Sequence, residues 1–72
     1  MSFQKERLFL LGYIEKHIVE GSERIARMQR LVADGERQQI DVSEAKLHLA
    51  EFLTAQVKRE AHREQVLREL GE

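Results

Sequence analysis

Apolar residues recur along the first half of the chain at the spacing of an α-helix. The stripe, in steps that alternate between three and four residues, consists of Leu11, Ile14, Ile18, Gly21, Ile25, Met28 and Val32. This alternation is the heptad pattern of a helix that buries a narrow face against another helix. It predicts a first helix over residues 3–36.

Glycines leave two details of this helix open. Gly12 and Gly21 each weaken a helix by up to about 1 kcal/mol relative to alanine. The heptad continues through Gly21 without a change of phase, which favours an unbroken helix; the alternative is a break at "EGSER", with Ser22 capping a new helix. Gly35 either ends the helix as its C-cap or lies within a helix that continues to about Gln38.

A second stripe follows the polar segment "ADGERQQID". Its members are Val42, Ala45, Leu49, Phe52, Gln56, Arg59, Arg63, Val66 and Leu70. Its middle is polar, so this helix either keeps that face or rotates to use Leu53, Ala55, Val57 or Ala61 instead. Asp41, with Glu44 three residues later, has the spacing of a capping box. These features predict a second helix over residues 42–70.

A short link between two helices predicts an antiparallel hairpin. The fold class is therefore all-α, with residues 1–72 forming one helical-hairpin domain. The predicted layers are Val32 with Leu49, Met28 with Phe52, Ile25 with Gln56, Gly21 with Arg59, Ile18 with Arg63, Ile14 with Val66 and Leu11 with Leu70. The predicted hairpin core comprises Leu11, Ile14, Ile18, Ile25, Met28, Val32, Leu49, Phe52, Val66 and Leu70. At Gly21, the missing side chain leaves room for the stem of Arg59.

The stretch "RLFLLGYIEKH" is more apolar than one neighbouring helix can cover. Leu8 to Leu11 occupy all sides of one turn, and residues before about Leu8 are predicted to lie beyond the end of the second helix. The predicted interface residues are Phe3, Leu8, Phe9, Leu10 and Tyr13. A second copy is the simplest cover for them, giving a homodimeric four-helix bundle, parallel or antiparallel. A different protein partner is the other candidate.

Neither a membrane span nor a signal peptide fits the same stretch. A span needs about 20 apolar residues. The apolar core "LFLLGYI" is followed directly by Glu15 and Lys16, and no small-residue cleavage site comes after it. Because acidic residues balance the lysines and arginine of this region, it also lacks the basic face of a membrane-surface helix. We therefore expect no membrane partner.

Composition and charge narrow the function further. The 72 residues include no cysteine, which excludes disulfides and cysteine zinc sites and fits a reducing, cytoplasmic location. The 12 basic and 13 acidic residues interleave, so we expect no binding to nucleic acid. The spacing also predicts ion pairs within the helices: Glu20 with Arg24, Glu23 with Arg27, and Glu64 with Arg68.

The segments "HIVEGSERIARMQ", "DVSEA" and "HRE", with Phe52 and a leucine-rich end, resemble a group of short, uncharacterised proteobacterial proteins that look like helical hairpins. The shared positions are His17, Glu20, Gly21, Arg24, Ile25, Ala26, Arg27, Asp41, Ala45, Phe52, His62, Arg63 and Leu67. The chain departs from the pattern at Gly35, Gln39 and Arg59, where members often have leucine, glycine and histidine. The resemblance implies a hairpin with an unbroken first helix, but no activity or cofactor.

The histidines raise an alternative function. The hairpin places His17 and His62 at nearly the same level, where a carboxylate such as Glu20 would complete a zinc-type ligand set. A metal-binding or metal-sensing protein is therefore the alternative hypothesis. A structural role for the histidines is favoured, because a site needs three or four converging ligands and Arg59 adds positive charge nearby.

Enzyme chemistry has little support in this sequence. The chain contains no glycine-rich phosphate loop, no nucleophile elbow and no HExxH motif. We therefore expect a non-enzymatic interaction module without a cofactor. The expected activity is self-association, with scaffolding or modulation of a larger partner.

Overall fold

Two long antiparallel helices, joined by a short link over residues 38–42, make up the described chain. A computed structural model describes the backbone of residues 2–71 and the side chains of residues 3–71. Helix α1 spans Ser2–Arg37 and helix α2 spans Ser43–Gly71, and they pack along their length into a rod of 57 × 14 × 14 Å. The predicted all-α hairpin is confirmed, with helix ends within one residue of those expected. Helix α1 continues through Gly12 and Gly21 without a break.

The end of α1 is closed by a Schellman motif. The backbone N–H of Ile40 donates to the Gly35 carbonyl (2.9 Å), and that of Gln39 donates to the Glu36 carbonyl (3.1 Å). This pair of bonds satisfies carbonyls that a helix end otherwise leaves free. Gln39 takes a φ of 59°, the left-handed conformation that glycine adopts without strain. The turn is therefore built around a residue that fits its backbone poorly.

Replacing Gln39 with glycine is expected to stabilise the hairpin. A side chain in the left-handed region costs about 1–2 kcal/mol, part of which is offset because glycine also gains entropy when unfolded. We expect Gln39→Gly to raise the free energy of unfolding by about 1 kcal/mol, measured by urea denaturation. Gln38→Gly is the matched control, because Gln38 does not have a positive φ; equal effects at both positions would contradict the role assigned to Gln39.

Gly35 lies inside α1 and allows the two helices to approach closely. It is two residues short of the helix end, so the C-cap alternative for Gly35 is wrong. A Cβ atom built on Gly35 would sit 2.3 Å from Cγ1 of Val42. Since Val42 immediately precedes α2, the missing side chain lets the chain turn tightly back on itself.

The start of α2 is held by Asp41, although not as the capping box predicts. Its carboxylate accepts hydrogen bonds from the Ser43 hydroxyl (2.6 Å) and the Ser43 backbone N–H (3.0 Å), rather than from Glu44. Both bonds lower the pKa of Asp41 below its ordinary value of 3.8, and the bond from the Ser43 hydroxyl has the larger effect. The first helical bond runs from the Lys46 N–H to the Val42 carbonyl, one residue after the predicted cap.

The two stripes face each other along the rod. Ile14, Val32 and Val66 are buried, and the other seven residues of the predicted core are half-buried. Three of the four alternative residues, Leu53, Val57 and Ala61, are exposed, and Ala55 is half-buried. Helix α2 therefore keeps the face described by the heptad and does not rotate. The core is thin, as expected when each helix has a single neighbour.

The register of the helices differs from the predicted layers near the middle of the rod. Gln56, not Arg59, lies closest to Gly21: a Cβ there would sit 2.3 Å from the Gln56 side-chain oxygen and 3.0 Å from Nη1 of Arg59. A long side chain of α2 thus occupies the space at Gly21 as predicted, but it is that of Gln56, one turn before Arg59. Arg59 lies beside it and donates to the Gln56 oxygen (3.2 Å).

Gln56 is the buried polar residue at the centre of the interface between the helices. It is 6% exposed, and its amide nitrogen donates to the Ile18 carbonyl (2.7 Å) and to the Ser22 hydroxyl (3.1 Å). Among the described side chains, no buried nitrogen or oxygen atom lacks a partner. Such a satisfied polar group fixes the alignment of two helices, because any slip would leave it unpaired.

Candidate protein-interaction surface

Five large apolar side chains near the start of α1 are exposed in the hairpin. We call them the N-terminal apolar surface: Phe3, Leu8, Phe9, Leu10 and Tyr13. Their exposed fractions range from 36% for Leu10 to 80% for Phe9. Scattered surface hydrophobes are normal, but five within eleven consecutive residues form a patch that a partner could cover.

Helix α2 reaches further along α1 than predicted. The guanidinium of Arg7 makes a salt bridge of 3.2 Å with Glu69 and lies 5.6 Å from the centre of the Phe3 ring. The expectation that residues before Leu8 have no partner on α2 is therefore wrong for Arg7. The contact does not cover the aromatic ring, since Phe3 remains largely exposed.

Tyr13 extends the apolar surface toward the middle of the rod. Its ring centre lies 4.3 Å from that of His17, with the ring planes tilted by 57°. His17 in turn lies 3.5 Å from Glu20, measured from Nδ1 to the carboxylate. His17 and His62 line the same shallow groove, together with Tyr13, so the predicted proximity of the two histidines is reproduced.

The histidines do not gather a full set of metal ligands. Among the described residues, no group of three or more histidine, aspartate or glutamate side chains is placed to hold an ion. Arg59 lines the same groove as His17 and His62, which adds positive charge there. The observed contacts of His17 are those of a polar side chain within a helix surface.

The three ion pairs predicted within the helices do not form. Among the described residues, no nitrogen of Arg24, Arg27 or Arg68 lies within 4.0 Å of a carboxylate oxygen. The Arg24 guanidinium instead lies 5.7 Å from the centre of the Phe52 ring. Two of the carboxylates have other neighbours: Glu20 lies 3.5 Å from His17, and Glu64 lies 3.7 Å from Arg63. Helical spacing makes such pairs accessible, but exposed pairs gain too little energy to be imposed by spacing alone.

Ion pairs between the helices were missed by sequence reasoning. Arg63 donates to Glu15 (3.1 Å), and Lys46 lies 3.1 Å from Glu36. Each pair joins the borders of the two apolar stripes. The signal is opposite charge at flanking heptad positions, but it can be used only when the register is known.

A second apolar feature lies at the turn end of the rod. This turn-end groove, of about 830 Å³, has a floor formed by Met28, Leu31, Gly35, Ile40, Val42 and Ala45. Leu31 and Ile40 are exposed there. Sequence reasoning did not identify the groove, although one signal exists: Leu31 follows Leu10 by three heptads and so lies on the same flank of α1.

Comparison with known proteins does not assign the chain to a family. The sequence matches no protein-family model, and it matches neither a curated protein nor a solved structure. Neither described helix has the length and apolar character needed to cross a bilayer.

Proposed function

We propose that this protein is a non-enzymatic helical interaction module that self-associates through its N-terminal apolar surface. The observation that carries the proposal is the cluster of five exposed large apolar side chains in the first helix. Such a patch is typical of a surface that meets another protein. The absence of cysteine is compatible with a role in a reducing compartment such as the cytoplasm.

The accessible surface area of the hairpin supports the proposal that a partner covers part of its surface. Its accessible surface is 5691 Å² for a chain of 8.5 kDa. A compact monomer of that mass exposes about 4,700 Å². The excess, about 1,000 Å², is similar to the roughly 800 Å² that each partner buries in an interface of standard size. One further helical hairpin packed against the rod would remove an area of this order.

A second copy is the favoured partner, and the product is a C2 dimer with the organisation of a four-helix bundle. Closed two-fold symmetry is the commonest way in which small soluble proteins cover one apolar face. The bundle also deepens a core in which three of the described apolar residues are buried in one hairpin. In this proposal the dimer then serves as a scaffold or modulator of a larger protein.

Leu10→Asp is the test of self-association. We expect the wild-type protein to sediment as a dimer at micromolar concentration. Leu10→Asp is expected to weaken the dimer at least about tenfold while the chain stays helical, because the side chain is exposed in the single hairpin. Analytical ultracentrifugation measures the mass, and far-UV circular dichroism measures the helix content.

Leu53→Asp is the matched control for that substitution. Leu53 is exposed to a similar degree as Leu10 but lies in the middle of α2, away from the N-terminal apolar surface. We expect Leu53→Asp to leave the dimer unchanged. A wild-type protein that sediments as a stable monomer, or two aspartate variants that weaken the dimer equally, would refute the proposal.

A further inference from the structure

The turn-end groove lies on the flank of α1 that carries Phe3 and Leu10 of the N-terminal apolar surface, whereas Leu8 lies on the opposite flank. Phe3, Leu10, His17, Arg24 and Leu31 follow one another at intervals of seven residues along this unbroken helix. Residues at that interval share a flank of the helix. The flank is therefore apolar at both ends and charged in the middle, where Glu20, Glu23, Arg24 and Arg27 surround a polar groove.

We infer that the turn-end groove receives the N-terminal apolar surface of a second copy, with the two α1 helices packed antiparallel. This inference rests on the proposed self-association and adds its geometry. Two-fold symmetry makes the contact reciprocal: each copy inserts its own N-terminal apolar surface and offers its own groove. Both apolar ends of the flank are covered at once, which an end-to-end contact between N-terminal surfaces alone would not achieve.

The charges in the middle of α1 favour the antiparallel direction. Two acidic residues, Glu20 and Glu23, are followed directly along the chain by two basic residues of the same flank region, Arg24 and Arg27. Antiparallel packing sets the acidic pair of one copy against the basic pair of the other, whereas parallel packing sets like charges together. Among the described residues of one copy, no carboxylate oxygen lies within 4.0 Å of either arginine.

The alignment that joins these charges also joins the apolar ends. When Glu20 of one copy lies level with Arg24 of the other, Tyr13 lies level with Leu31, because positions advance equally along two antiparallel helices. Phe9 then lies level with Gly35 of the second copy, which lines the groove. In this register Glu23 lies level with Gly21 and Arg27 with His17, so the charge match at the centre is the reciprocal Glu20–Arg24 pair.

The rim of the groove carries charges of both signs. Its lining includes Arg27 and Arg30 together with Asp34, Asp41 and Glu44. The charge pattern that favours one orientation is therefore that in the middle of α1.

The first test places a charge in the groove. Leu31→Asp is expected to weaken the dimer at least about tenfold in analytical ultracentrifugation, because an aspartate would be buried there by the partner. Leu47→Asp is the matched control, since Leu47 is an exposed leucine that does not line the groove. Far-UV circular dichroism verifies that both variants remain helical.

The second test measures which residues of the two copies lie close together. The chain has no cysteine, so single cysteines report contacts without interference. A mixture of Tyr13→Cys and Leu31→Cys proteins is oxidised mildly and compared with each protein alone and with a mixture of Tyr13→Cys and Leu47→Cys. We expect the first mixture to give the disulfide-linked product between the two different copies in clear excess over all the others.

The outcomes separate this inference from the proposed function. If the wild type is a dimer that Leu10→Asp weakens but Leu31→Asp does not, self-association stands and the groove is not its site. The antiparallel arrangement is overturned if Tyr13→Cys copies link mainly to each other. It is also overturned if the mixture with Leu31→Cys gives no more cross-linked product than the mixture with Leu47→Cys. A monomeric wild-type protein overturns both.

Discussion

Val66→Asp is expected to unfold the hairpin, whereas Val57→Asp leaves it folded. Both valines lie in α2, but Val66 is 2% exposed and Val57 is 66% exposed. A carboxylate at Val66 would be buried without a partner, at a cost of about 3–5 kcal/mol. A core in a chain of this length rarely supplies more than about 3–5 kcal/mol of net stability. The cost is therefore of the same size as the whole stability.

Far-UV circular dichroism and thermal melting measure this difference. We expect Val66→Asp to lose most of its helical signal, because long helices of this composition are held mainly by packing rather than by intrinsic propensity. Val57→Asp should melt close to the wild-type temperature. Two variants that melt alike would mean that the side of α2 carrying Val66 is not the one packed on α1.

Gly21→Ala is the second substitution with a large expected effect, and it acts in the direction opposite to helix propensity. The new Cβ would meet the Gln56 oxygen at 2.3 Å and displace the amide from its two hydrogen bonds. Loss of these bonds in a buried site outweighs the gain of about 1 kcal/mol from replacing glycine in a helix. We expect a net loss of about 1–3 kcal/mol, or a fall in Tm of roughly 5–15 °C.

Gly12→Ala is the matched control in the same helix. Apart from its chain neighbours and the backbone of its own helix, a Cβ atom on Gly12 would have no described atom within 4 Å, so only the propensity term remains and Tm should rise. Gln56→Ala provides a further check, because removing the amide also removes the clash. In that background Gly21→Ala should become stabilising; a destabilisation as large as in the wild type would show that Gln56 is not the cause.

The changes in Tm expected for Gly21→Ala and Gly12→Ala have opposite signs, so residue type alone does not predict the effect of a substitution in this helix. By helix propensity, Gly12 and Gly21 are equally unfavourable. What separates them is that Gln56 approaches Gly21, whereas no described side chain comes within 4 Å of a Cβ built on Gly12. That distinction depends on which residue of α2 stands opposite Gly21, and a shift of one turn changes the answer from Arg59 to Gln56.

Much of the architecture follows from the sequence alone. The heptad spacing predicts the two helices, their ends within a residue, the antiparallel turn and the face that each helix buries. The expectation of an unbroken α1 is also confirmed. These properties depend on the order of apolar and polar residues along one chain, and helical geometry converts that order directly into faces.

The tertiary structure alone decided the register, the pairing of charges and the groove at the turn. Spacing predicts Glu20–Arg24 as an ion pair and Arg59 as the residue at Gly21, yet the helices cross so that Gln56 fills that space and Arg63 meets Glu15. A displacement of one turn preserves the heptad pattern, so the apolar stripe cannot distinguish the two alignments. Contacts between specific side chains can, because the buried amide of Gln56 finds its partners in only one of them.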